Sequence, residues 1–146
     1  MNTPRSAAPA SQALFDPPDP HPTDPNASVV EFRIPADPTY VRVARLAVGD
    51  IGERAGFSLD ELDDVRLAVD ELCAIMLRAG GAHLRLRIEL RDRLLVVDGS
   101  TDGASVPVAP SELSEMLLRA LVDECRFGVR DDETTVEMRK RAREVA

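Results

Sequence analysis

The chain has 146 residues, 44% of them hydrophobic, with no Trp and a formal net charge of −8 at pH 7. This length fits one domain with an aliphatic core and excludes a second core. The negative charge argues against nucleic acid as a partner, because phosphate backbones are bound by clustered cations. No Walker-type loop or protein-kinase motif surrounds the single Lys, Lys140, which excludes both of those ATP sites.

No apolar run approaches the ~20 residues that span a bilayer, and the N-terminus lacks the basic-then-apolar pattern of a secretory signal. We therefore expect a cytoplasmic protein without a membrane anchor. Cys73 and Cys125 fall in predicted aliphatic helices and are expected to be buried reduced thiols, although a redox pair stays open. His21 and His83 have no ligand-like neighbours, so no structural metal is predicted.

Residues 1–27 contain seven of the eleven prolines and almost no large apolar side chains. Such a segment does not bury enough apolar surface to offset the entropy of ordering. It is predicted to be a disordered tail in front of a domain that covers residues 28–146.

Apolar periodicity and capping residues predict seven elements after the tail. In chain order they are a strand over Val30–Ile34, a helix from Pro38 to about Arg54, a helix from Ser58 to before Gly80, a hairpin of strands over Leu84–Leu90 and Leu94–Val97, a helix from Ser111 to near Phe127–Gly128, and a strand over Thr134–Arg141. Segregated helices and a largely antiparallel sheet imply a two-layer α/β sandwich in the order β-α-α-β-β-α-β.

The second predicted helix carries the candidate chemistry. Ser58 and Glu61 form a capping box at its start. One face is an apolar stripe, and another bears Glu71 and Ile75 at helical spacing. A carboxylate at the inner edge of a sandwich is a candidate general base, whereas most helical Glu residues are simply solvated.

The string from Val65 to Cys73, which reads VRLAVDELC, resembles the N box of the GHKL ATPase superfamily. It is most similar to the branch of bacterial anti-sigma factors that double as serine protein kinases, in particular the actinobacterial anti-sigma-F type. The resemblance covers about residues 30–141. Ile34-Pro35, the helix start at Tyr40–Val43, Gly-Phe-Ser between the helices and Leu121–Glu124 follow in family order. It implies a Bergerat-type, histidine kinase-like ATPase fold.

The resemblance implies a role for several positions of this chain. Glu71 matches the general base that acts on a serine hydroxyl of a partner protein. The asparagine that holds Mg²⁺ falls at Ile75, which has no oxygen to offer a hard cation, so no metal ligand is predicted. Asp98, Gly99 and Gly103 match the nucleotide-binding segment, with Asp98 on the adenine, although the glycines are out of phase.

The second glycine-rich segment of the family is also replaced here. Ser111, Glu112 and Ser114 stand where backbone amides would cradle phosphates, and the charge of Glu112 opposes phosphate binding. ATP and Mg²⁺ are therefore the family's cofactors, but we expect neither to be bound and Glu71 to be vestigial as a base.

In the family, an arginine at the position of Arg42 contacts the sigma factor, and Arg45 lies on the same helix face. An exposed arginine without a partner is the alternative for Arg42. The predicted function is that of an anti-sigma factor, which sequesters an alternative sigma factor, is released by an anti-sigma antagonist, and forms a homodimer through the sheet edge and first helix. The rival is an active ATP-dependent serine/threonine kinase that phosphorylates the antagonist. An adaptor unrelated to sigma factors is a third possibility.

Overall fold

The computed structural model describes residues 24–102, 106, 108–131 and 133–143. These residues form five strands and three α-helices, the first helix being preceded by a 3₁₀ turn, Pro38–Tyr40. The elements are β1 (Ser28–Pro35), α1 (Val41–Arg54), α2 (Leu59–Arg78), β2 (His83–Arg91), β3 (Leu94–Asp102), α3 (Glu112–Leu121), β4 (Glu124–Arg130) and β5 (Glu133–Arg141).

The five strands make one antiparallel sheet in the order β1-β2-β3-β5-β4, so β1 and β4 are its edges. Side chains on alternate positions of the strands, such as Leu84, Val97 and Met138, join the buried residues of the helices in one core. The opposite side of the sheet, called the outer face below, carries no helix of the described chain and is lined mainly by polar side chains. The predicted two-layer α/β sandwich is confirmed.

One element of the sequence-based prediction is wrong. The third helix ends at Leu121 rather than near Phe127–Gly128, and residues 124–130 form the edge strand β4. Val122 is extended, with φ −130° and ψ 165°. Lys140 Nζ donates to the Leu121 carbonyl at 2.8 Å, and the Arg141 amide donates to Asp123 Oδ2 at 2.8 Å. These contacts with β5 end the helix and align the following segment for pairing.

The helix α2 is the centre of the core. Its start is fixed by the predicted capping box, in which the Glu61 amide donates to Ser58 Oγ at 3.2 Å and the Ser58 amide donates to Glu61 Oε1 at 3.1 Å. Most of its apolar side chains are completely buried. Burial of a helix on several sides restricts which of its residues reach a partner.

The predicted tail of residues 1–27 lies outside the described residues except for 24–27. These form a turn in which the Ala27 amide donates to the Asp24 carbonyl at 2.8 Å. Among the described residues, no helix combines the length and the apolar character that crossing a membrane demands.

Candidate functional site

Glu71 lies on α2 and its side chain reaches α3. Its Oε1 atom accepts a hydrogen bond of 2.5 Å from the hydroxyl of Ser114, which is a buried residue in the first turn of α3. The candidate base therefore already holds a hydroxyl, and that hydroxyl belongs to the chain itself.

The start of α3 places this hydroxyl. Ser111 is the N-cap and accepts a hydrogen bond of 3.1 Å from the Ser114 amide, while its own hydroxyl donates to Ser114 Oγ at 3.1 Å. Two hydroxyls in series thus end on Glu71. The residues that replace the phosphate cradle cap α3 and tie it to α2. The sequence gives only a Ser-x-x-Ser helix start, because a bond between residues 43 positions apart leaves no local pattern.

Ile75 lies one turn beyond Glu71 and is 0% exposed within the hydrophobic core. An aliphatic side chain in that position supplies no oxygen ligand. Among the described residues, no three His, Cys, Asp or Glu side chains are grouped so as to hold a metal ion. The residues present do not fit the Mg²⁺ that the family uses.

Gly99 faces α2 but leaves no room for a nucleotide. A Cβ atom at this position would lie 2.8 Å from both Sδ and Cε of Met76, and 3.0 Å from Cγ2 of Val136. The space that a glycine provides for a close backbone approach is occupied by the chain's own side chains.

Asp98 lies on the outer face of the sheet. Its neighbours Val97 and Gly99 are buried towards the helices, and successive strand residues point to opposite faces. Its Oδ2 atom is 3.8 Å from Nη1 of Arg87 on β2. The structure therefore separates Asp98 from Glu71 by the thickness of the sheet, contrary to the prediction that both belong to one nucleotide site. Gly103, the third predicted member, lies outside the described residues.

The chain between β3 and α3 is held against the helical side of the sandwich where it is described. The Val106 amide donates to the Ala79 carbonyl at 2.9 Å, and the Val108 amide donates to Thr134 Oγ1 at 3.2 Å. Val108 also packs against the core. This part of the segment is thus tied to the end of α2 and the start of β5.

A second candidate surface lies on α1. Arg42 is exposed, and beside it Val43 and Leu46 are 46% and 62% exposed; these three residues are called the α1 surface. Leu46 is apolar but points away from the core. Arg45 differs from Arg42, since its Nε donates to Asp70 Oδ1 at 2.9 Å.

The outer face of the sheet contains a charge network that sequence reasoning missed. Nη1 of Arg87 lies 2.8 Å from Glu89 Oε2, and its Nε lies 3.4 Å from Glu31 Oε1. Burial, followed by the hydrogen bond and the charge of the neighbouring carboxyl group of Glu137, raises the pKa of Asp98 from 3.8 to about 7. The strand alternation predicts which residues share this face, but not how deeply they are buried.

Comparison with known families agrees with this architecture. Residues 34–140 match the model of the histidine kinase-like ATPase domain. Because the match covers most of the chain, this protein belongs to that family. The resemblance noted from the sequence is confirmed at the level of family and fold.

Individual relatives carry two kinds of name. The chain is 29% identical over 139 residues to the serine-protein kinase RsbW of Bacillus licheniformis, covering 78% of this chain and 86% of that protein. It is 36% identical over 99 residues to the anti-sigma-F factor RsbW of Mycobacterium tuberculosis, covering 65% and 58%. It is also 40% identical over 48 residues to RsbW of Bacillus subtilis, spanning only 30% of that protein's length.

A solved structure has the same fold. The crystal structure of the RsbU and RsbW domains of a Mycobacterium tuberculosis protein superposes with a TM-score of 0.60 at 17% identity. The superposition covers 82% of this chain and 35% of that chain.

Proposed function

We propose that this protein is an anti-sigma factor that binds and sequesters an alternative sigma factor without using ATP or Mg²⁺. The observation that carries the proposal is that side chains of the chain itself fill the space between α2, β3 and α3, which is called the cleft below. Glu71 is bonded to Ser114, Ile75 is buried, and Gly99 is covered by Met76. Sequestration needs surface complementarity and mass action rather than phosphoryl transfer, so a filled cleft is compatible with it.

The α1 surface is the proposed contact. Arg42 takes part in none of the ion pairs that we find among the described residues, so its guanidinium is available for a carboxylate of the partner. Val43 and Leu46 supply apolar area next to that charge. A central arginine beside exposed aliphatic groups is a common composition for the energetic centre of a protein interface.

The test compares two charge reversals on one helix. Purified alternative sigma factors from the same organism are titrated with the wild-type chain and with Arg42→Glu and Arg54→Glu. Arg54 is exposed in the last turn of α1 and already pairs with Asp50 at 3.3 Å. We expect Arg42→Glu to weaken binding at least about tenfold and Arg54→Glu to change it little. If both variants lose affinity equally, or if Arg42→Glu loses none, the sigma factor does not bind at the α1 surface.

A serine kinase is the second candidate, favoured by the retained Glu71 and by the names of relatives. Calorimetric titration with ATP and Mg²⁺ separates the two functions, followed by assay of phosphate transfer to an anti-sigma antagonist. Micromolar binding with turnover would support the kinase. Binding of a sigma factor with neither ATP binding nor phosphate transfer would support the anti-sigma factor.

We further propose that an antagonist releases the sigma factor by competing for it, and that the protein forms a homodimer. The edge strand β1 and the neighbouring α1 are the proposed dimer contact, since no strand of the described residues pairs with the outer edge of β1. Light scattering after size exclusion measures the mass. A monomer at micromolar concentration would contradict the dimer without affecting the α1 surface.

A further inference from the structure

A half-buried and a fully buried carboxyl group meet on the outer face of the sheet. Asp98 on β3 and Glu137 on β5 are directly opposite each other in the antiparallel register. Glu137 is only 1% exposed, and 21% of the Asp98 side chain is accessible. Side chains of opposed residues in such a pair lie within contact distance. Two ionised carboxylates in this position would repel each other strongly.

The hydrogen-bond pattern shows what is missing if both groups are ionised. Asp98 Oδ1 and Glu137 Oε2 are buried, and neither has a donor among the described residues. The other oxygens face arginines, with Glu137 Oε1 at 2.8 Å from Arg139 Nε and Asp98 Oδ2 at 3.8 Å from Arg87 Nη1. Buried acceptors without a donor are uncommon and costly. One proton between the two carboxyl groups gives both oxygens a partner.

The surrounding charges do not remove the need for that proton. Arg87 on β2 forms ion pairs with Glu89 on the same strand and with Glu31 on β1. Glu89 also forms an ion pair with Arg91, at 3.2 Å. The groups that meet here are thus the carboxyls of Asp98, Glu137, Glu89 and Glu31 and the guanidiniums of Arg87, Arg91 and Arg139. On β4, the exposed Arg126 and Glu124 stand opposite Glu137 and Arg139 and balance each other. One carboxyl group is therefore in excess.

We propose that Asp98 and Glu137 form a proton-binding site that holds one shared proton in the folded protein at mildly acidic pH. The site is independent of the function proposed above. Burial, followed by the hydrogen bond and the charge of Glu137, raises the pKa of Asp98 from 3.8 to about 7.

The sign of the consequence follows from linkage. Between about pH 4 and pH 7 the folded chain holds a proton that the unfolded chain has lost, so stability falls as pH rises. The contribution is fully present below the unfolded pKa of 3.8 and is gone above the folded pKa of about 7. A single group of this kind changes the unfolding equilibrium constant by at most about tenfold per pH unit.

The experiment measures urea unfolding of the full chain from about pH 5 to about pH 8. For the wild type we expect the unfolding constant to rise by roughly ten- to a hundredfold across this range. Asp98→Asn should lose most of that rise, because an amide donates to Glu137 without binding a proton. Glu31→Gln is the matched control on the same face, and it should keep the rise.

A direct readout uses carbon NMR of the Asp98 carboxyl in the folded protein. The expected midpoint is near neutral pH in the wild type, and it should fall by more than about one pH unit in Glu137→Gln, whose amide donates to an ionised Asp98. This measurement stands even if Asp98→Asn does not fold. A wild-type midpoint near the ordinary value of about 4, or an unchanged pH dependence in Asp98→Asn, would overturn the proposal.

Discussion

Replacing Ile75 by Asn introduces the side chain that the sequence resemblance implies at this position, and it tests whether the space between α2, β3 and α3 has the form of a nucleotide site. Ile75 is completely buried. Loss of its aliphatic burial costs about 1.5–3 kcal/mol, and an amide without partners in its place costs about 1–3 kcal/mol more. We expect the free energy of unfolding to fall by about 2.5–6 kcal/mol, with no gain of ATP binding, because Met76 still covers Gly99.

The assay is urea unfolding together with calorimetric titration of ATP and Mg²⁺. Ile75→Val is the matched control, since it removes one methylene and leaves the site apolar, at an expected cost of about 0.5–1.5 kcal/mol. A loss below about 1 kcal/mol in Ile75→Asn would mean that the amide finds water or a partner. Micromolar binding of ATP by this variant alone would mean that the cleft opens. Either result refutes the interpretation of a filled core.

Two further predictions concern α2. Glu71→Ala leaves the buried Ser114 hydroxyl without its acceptor, so the free energy of unfolding should fall by about 1–3 kcal/mol. A double-mutant cycle with Ser114→Ala should give a coupling energy of about 0.5–3 kcal/mol. Binding through the α1 surface should stay within about twofold of wild type. Additive effects of the two substitutions would mean that the bond between Glu71 and Ser114 does not stabilise the fold. Burial, followed by the nearby charge of Asp70, raises the pKa of the Cys73 thiol to about 12. In the variant Cys125→Ser, the Cys73 thiol should therefore react with a disulfide reagent only when the protein unfolds. Fast reaction of the folded variant at neutral pH would contradict this burial.

The sequence predicts most of the fold because local signals and tertiary packing agree. The capping box at Ser58 sets a boundary that the structure reproduces, and β1 ends at Pro35, one residue beyond the predicted strand. The edge strand β4 was missed because Leu121 and Val122 continue an apolar helical pattern, and the bond from Lys140 to the Leu121 carbonyl joins residues far apart in sequence. The alternation of side-chain character after Val122 was the sequence signal for a strand, but the tertiary contact with β5 determines that the segment is one.

The candidate site was predictable only in part. The helix pattern placed Glu71 and Ile75 on a face apart from the apolar stripe, whereas the structure buries Ile75 in the core and leaves Glu71 to reach α3. Asp98 was assigned from the resemblance, although strand alternation counted from Val97 already places it on the other face. The bond between Ser114 and Glu71 joins elements far apart in sequence, so no local rule reveals it.

The changes in the cleft are physically coupled, which bears on how binding through α1 is controlled. Once position 75 is aliphatic, a hydrated metal has no ligand there, and an empty cleft lined by apolar groups loses packing. Met76 against Gly99 and the Ser114 hydroxyl on Glu71 fill that space and hold α2 and α3 in one arrangement. Under the proposed function, the core needs no nucleotide, so the α1 surface is preformed and binding through it carries no ordering cost that depends on nucleotide. In the proposed anti-sigma function, control therefore falls on competition between protein partners for that surface, and the affinity of the α1 surface should be the same with and without ATP.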